Sequence, residues 1–119
     1  PPVHQTFEMH GFVMCTFAPR HLDHPPEAIK VPWAHDNTEA DEVLFYVRGQ
    51  FGSRKGVEPG SFTLHPQGIP HGPHPGAYEA SIGAKETNEL AVMADTERPL
   101  KTAEAALAIE DAGYQDSFI

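Results

Sequence analysis

Basic residues are scarce in this 119-residue chain: eight lysines and arginines stand against seventeen aspartates and glutamates, a net charge of -9. A surface of that sign repels phosphate backbones and anionic membranes, so no nucleic-acid partner is expected. Cysteine is almost absent. Cys15 alone excludes an intrachain disulfide and fits a reducing cytoplasm, and within the apolar run Phe12 to Phe17 it reads as a buried structural thiol. No window holds the roughly 20 apolar residues that span a bilayer. No charged-then-apolar signal precedes a cleavage site either, so the expectation is a cytoplasmic protein with no membrane partner. An initiating methionine is also lacking: the chain opens on Pro1 and Pro2 and runs at once into strand-like sequence, which we read as the mark of a fragment.

Proline and glycine, at 12 and 10 residues, are abundant and favour short elements joined by turns. The length suits one domain. We take 1–119 as that domain, with a core over about 11–96 and a helical extension over about 97–119. Gly11 to Phe17 reads as a strand buried on both faces, and Glu42 to Val47 is the strongest strand signal. Ser61 to Leu64 alternates as a half-buried strand does, and Tyr78 to Ile82 and Leu90 to Met93 read as two more. Pro19 to Pro32 predicts a surface loop, Ser53 to Gly60 a hairpin connection, and Pro66 to Gly76 is too rich in proline and glycine for a helix or central strand. Thr102 to Glu110 predicts a helix, with Thr102 as N-cap and Gly113 as stop. Many short strands followed by one short C-terminal helix point to an all-β sandwich or barrel.

Two of the eight histidines stand out by context. His35 and Glu42 lie at the entrance of the strongest strand, in His35-Asp-Asn37-Thr-Glu-Ala-Asp-Glu42, and His71 closes Gly60-Ser-Phe-Thr-Leu-His-Pro66-Gln-Gly68-Ile-Pro-His71. The other histidines (His4, His10, His21, His24 and His74), taken singly, read as hydrogen-bonded or surface residues, and Glu39 and Asp41 as solvated loop charges.

These stretches resemble the paired motifs of the cupin superfamily. His35, Glu42 and Gly49 match the first, with Asn37 where a second histidine is usual; Gly60, Pro66, Gly68 and His71 match every position of the second. The implied fold is a cupin, a double-stranded β-helix or jelly-roll barrel with a short C-terminal helix. Adjacent antiparallel strands of a small barrel aim alternate side chains into one interior, where two imidazoles and a carboxylate can converge on a metal. That donor set is the one of non-haem Fe(II) oxygenases, with positions left open for dioxygen and substrate. A glutamate beside so apolar a strand is costly without a cation.

Longer runs narrow the resemblance. Phe17-Ala-Pro-Arg20, Pro32-Trp-Ala-His35, Asp41 to Gly49, Leu64 to Gly76 and Glu89 to Leu100 are similar to the C-terminal part of the homogentisate 1,2-dioxygenase family, over nearly the whole chain. The resemblance implies Fe(II) held by His35, Glu42 and His71, with His65 and Asn37 behind the ligands and Trp33, Phe51 and His74 in the substrate pocket. It implies an aromatic substrate, dioxygen, ring cleavage to maleylacetoacetate in tyrosine and phenylalanine catabolism, and a homo-oligomer, trimer or hexamer. The family's acid-base histidine falls upstream of Pro1, leaving His4 and His10 as the weaker candidates. Two tyrosines usual in the family are replaced, by Trp33 and Phe51, which removes two hydroxyls from the pocket wall and bears on which aromatic acid is taken. Rival expectations are a Zn- or Mn-dependent cupin isomerase or hydrolase at the same ligands, and a non-catalytic cupin that binds a small molecule.

Overall fold

The structure, a computed structural model, describes residues 3–52 and 54–118, with the side chains of Val3 and His4 outside that description. His4 as a base candidate and Ser53 in the hairpin connection thus lie outside the described residues. The strands are β1 (Val3–Met9), β2 (Phe12–Phe17), β3 (Arg20–His21), β4 (Asp41–Arg48), β5 (Phe62–His65), β6 (Glu86–Thr87) and β7 (Leu90–Thr96). Five form one antiparallel sheet in the order β1-β2-β7-β4-β5, and β3 pairs with β6 apart from it. No helix among the described residues is long and apolar enough to cross a membrane.

Register decides what faces the site. Glu42 lies opposite His65 on one side and Asp95 on the other, and Leu44 opposite Thr63 and Met93. Because side chains alternate across a sheet, these residues share one face with Tyr46 and Ala91, the most buried part of the protein. Leu64, Phe62, Val43 and Phe45 take the other face. Burial therefore alternates along β5 as expected but with opposite chemistry: Thr63 is buried against the Tyr46 hydroxyl, and Phe62, stacked on Phe45, is 65% exposed.

Several expectations change. Tyr78 to Ile82 is not a strand: α1 (Ala77–Ser81) is a short helix. Gly76 enters it with φ at +88°, and the turn closed by the Ala77 amide on the His74 carbonyl starts a coil that overrides the strand preference of Tyr78 and Ile82. The C-terminal helix is cut to α2 (Glu104–Leu107), capped by Ala103 and not Thr102, and wholly exposed, since no tertiary contact supports a longer coil. It ends well before Gly113, and a 3-10 turn, Gln115–Phe118, follows. β2 is half-buried throughout, with Cys15, instead of buried on both faces. Asp41 is no solvated loop charge; it is 4% exposed, accepting from the Gln67 and Leu100 amides. The sheet also reaches back beyond the expected core start, because β1 pairs along β2.

Candidate metal centre

His35 and His71 lie in irregular chain, and what fixes them is a two-way backbone bridge. The His35 amide donates to the His71 carbonyl at 2.9 Å, and the His71 amide returns the bond at 2.8 Å. Their rings then meet edge to face, 4.6 Å apart. The loops are buttressed twice. The Ala34 amide donates to the Tyr78 hydroxyl at 2.9 Å, so the helix misread as a strand holds the approach to His35, and the Gly68 amide donates to the Asn37 carbonyl at 2.8 Å. The Asn37 side chain accepts from the Glu39 amide in a local turn, which braces the loop that follows His35.

Glu42 enters from the sheet. One donor atom each from His35, Glu42 and His71 falls within 4.8 Å of the others, close enough for one ion. Both imidazoles are already oriented: Nδ1 of His35 lies 2.7 Å from the Trp33 carbonyl and Nδ1 of His71 lies 3.1 Å from the Ile69 carbonyl. A carbonyl only accepts, so each Nδ1 carries the proton and each Nε2 keeps its lone pair free. His71 Nε2 is buried without a hydrogen-bond partner, 3.5 Å from Glu42 Oε1. A buried, unpartnered lone pair facing a carboxylate suits a cation between them, so the residues present fit a metal.

The electrostatics agree. Burial alone would raise the Glu42 carboxyl, yet the His65 hydrogen bond and the electrostatic pull of the His65, His71 and His35 imidazoles together bring it below its ordinary value. Burial lowers the His71 imidazole, keeping it neutral and available as a donor. His65, opposite Glu42 on β5, gives Nδ1 to Glu42 Oε1 at 2.7 Å, stacks on His71 at 4.2 Å, and places Nε2 3.2 Å from the Tyr114 hydroxyl. His65 thus braces the Glu42 carboxylate from the neighbouring strand.

Trp33, Phe51 and His74 each have a different setting. Trp33 is 76% exposed and serves the centre through its carbonyl alone. Phe51 packs edge-on against Tyr46 at 4.8 Å, and His74 is half-buried at the entry to α1. His10 stands at the exposed β1–β2 turn. Sequence reasoning missed Asp95, Tyr114 and Arg54. Asp95 sits across from Glu42 with a buried, unpartnered oxygen, and burial, then Glu42, raises its carboxyl. A carboxylate inside the apolar run of β7 was a signal for it; nothing local marked the other two.

One close approach sets the ligand spacing. A Cβ on Gly72 would stand 2.8 Å from the Ala34 Cα, backbone against backbone, next to the His35–His71 bridge. Gly72→Ala is expected to spread the bridge and weaken Co(II) binding about tenfold, with the circular dichroism spectrum unchanged. Unaltered binding would show that the bridge does not set the spacing.

A family profile described as "Homogentisate 1,2-dioxygenase C-terminal" matches residues 3–118. The chain belongs to this family. It is 40% identical over 116 residues to "Putative dioxygenase SSO1533" of Saccharolobus solfataricus, covering 96% of this chain and 30% of that protein. It is 30% identical over 109 residues to the homogentisate 1,2-dioxygenase of Rhizobium etli, covering 87% and 23%. The chain therefore spans 23% to 30% of these curated relatives' length. Among solved structures it is similar to KdgF from Halomonas sp., with a TM-score of 0.51, 17% identity and 82% of each chain covered, a likeness that bears on fold alone. The fold is the all-β cupin that the paired motifs led us to expect. Membership in this dioxygenase-like cupin family and a donor cluster able to bind a metal thus stand together in one chain.

Proposed function

We propose that this chain is the metal-bearing part of a ferrous-iron dioxygenase that opens the ring of homogentisate, or a related dihydroxylated aromatic acid, with O2 to give maleylacetoacetate. The observation that carries the reading is the meeting of His35, Glu42 and His71 in a dioxygenase-like family. His35 and His71 would hold the iron through Nε2 and Glu42 through a carboxylate oxygen. Three protein donors are few for iron, and the open positions are where substrate and dioxygen would meet. Iron, when bound, supplies the redox path by which triplet oxygen reacts with an electron-rich ring.

The protein's own share is positional. The carbonyls of Trp33 and Ile69 fix both ligand tautomers, the backbone bridge fixes their separation, and His65 orients Glu42. Such prearrangement removes reorganisation from the reaction step. His65, with its ring on His71, would also set the polarity beside the reacting oxygen.

The test is oxygen uptake by the protein carrying this chain, supplied with Fe(II) and homogentisate. Uptake matched to homogentisate consumed is expected, falling to background after chelation and returning with Fe(II) but not Zn(II). A turnover that continues without oxygen would favour the isomerase reading. No uptake with any hydroquinone acid would leave the binding-module reading ahead.

A further inference from the structure

Close to the ligand cluster lies a buried positive charge with no carboxylate partner among the described residues. Arg54, in the connection from β4 to β5, is 9% exposed, and its Nε and Nη1 are buried without a hydrogen-bond partner. No carboxylate forms an ion pair with it among the described residues. Its neighbours are aromatic: the guanidinium carbon lies 4.8 Å from the Tyr114 ring centre and 4.3 Å from that of Phe118. Ring faces attract a cation, and the Tyr114 hydroxyl accepts a hydrogen bond from the guanidinium, but neither satisfies the buried N–H groups at Nε and Nη1. A desolvated guanidinium in that state is costly unless an anion joins it.

Its position gives the anion a purpose. The Tyr114 ring beside Arg54 holds its hydroxyl 3.2 Å from His65 Nε2, and His65 stacks on His71. One hydroxylated ring therefore bridges from the cation to the edge of the ligand cluster, and Tyr114 shows that such a ring fits there. The turn that carries these aromatics is tied to the sheet through the Tyr114 hydroxyl, which meets His65 and Arg54. Its other hydrogen bonds run within the turn, from the Ser117 hydroxyl and amide to the Tyr114 carbonyl and from the Asp116 amide to the Gly113 carbonyl, so an incoming hydroxylated ring has to take over the contacts of the Tyr114 hydroxyl. No strand has to open.

We propose that Arg54 is the carboxylate-binding group of the site: it takes the side-chain carboxylate of an aromatic acid, with Tyr114 and Phe118 as walls that part to admit it. Planar, with its donors in a fixed fork, the guanidinium suits a carboxylate better than lysine would. The assignment rests on the ring-cleavage reading for the identity of the ring, whereas capture of the carboxylate needs no metal. An acid would thus be selected over its alcohol or ester by a charge placed one ring away from the metal ligands.

Phenylacetate titrated by calorimetry into the chelator-treated protein tests this directly. The wild type is expected to bind it, and Arg54→Met, which keeps the length and loses the charge, to bind about thirtyfold more weakly. Benzyl alcohol, a ring without the charge, is expected to bind both proteins equally. Phe118→Ala, which uncovers the guanidinium, should bind phenylacetate at least as tightly as wild type. Arg54→Lys guards against a folding artefact and should recover part of the loss. The assignment is overturned if Arg54→Met binds phenylacetate as wild type does, or if the wild type does not bind it. A parallel Co(II) titration keeps the two readings apart: wild type that fails to bind Co(II) sinks the ring-cleavage reading whatever phenylacetate does, and Arg54→Met is expected to bind Co(II) normally.

Discussion

Glu42→Gln is expected to weaken binding of Fe(II) or Co(II) by more than a hundredfold and to abolish oxygen uptake, while leaving the metal-free protein folded. The size follows from what the substitution removes. Losing a residue that merely orients a ligand costs about 10–100-fold in affinity, so losing the single anionic ligand of a two-histidine, one-carboxylate set goes beyond that range. Retention of the fold follows from what it keeps, because an amide oxygen still accepts the 2.7 Å hydrogen bond from His65 Nδ1. His65→Gln provides the comparison and should fall within 10–100-fold, since it leaves all three donors in place. Equal losses in the two variants would mean that Glu42 acts only by bracing the loops, and unchanged affinity in Glu42→Gln would remove it from the centre.

That contrast matters because the three donors reach the centre by different routes, and only one of them comes from a regular element. Glu42 is placed by the register of β4 between β5 and β7, which a strand signal in the sequence already implied. His35 and His71 are placed by a backbone bridge between two loops, the first holding several prolines and the second rich in proline and glycine. Periodicity says nothing about such loops. What made them legible was motif spacing, because the glycines and prolines needed for the turns are fixed along with the ligands.

The same distinction explains what the residues left unsaid. β2, β4, β5 and β7 each carry a run of β-branched or aromatic residues and could be read directly. Tyr78 to Ile82 carried a similar local preference and became a helix, because the turn at His74 to Ala77 set the backbone before side-chain preference could act. The inward turn of Thr63 and outward turn of Phe62 could not be seen in the four residues of β5. One alternating strand has two faces, and only pairing with β4 decides which is inner. Arg54 and Tyr114 were hidden for a simpler reason: they lie about sixty residues apart, and the contact between them and His65 exists only after folding.

Gly49→Ala is expected to be the most destabilising of the glycine substitutions in the two motifs, costing about 3 kcal/mol in urea unfolding, against about 1 kcal/mol for Gly60→Ala. Both glycines adopt positive φ, +99° at Gly49 and +93° at Gly60, so both variants carry the conformational cost of a side chain in that region. Only Gly49 also meets a close approach. A Cβ there would run into the Asn88 carbonyl and stand 2.8 Å from the Glu89 Cα, whereas at Gly60 it would find open space. The obstacle is backbone, anchored by the Asn88 side chain, which accepts from the Gln50 amide at 2.9 Å, and by the start of β7, so it cannot swing aside as a flexible side chain could. Relief would have to come from moving the end of β4 away from β7, beside the existing irregularity between Tyr46 and Arg48. Glu42 lies at the far end of that strand pair. Gly49→Ala protein that still folds should therefore keep most of its metal affinity, a result that separates the stability role of the first motif's glycine from the ligand role of its glutamate. Similar midpoints for Gly49→Ala and Gly60→Ala would mean that the close approach at Asn88 contributes nothing beyond the strain of positive φ.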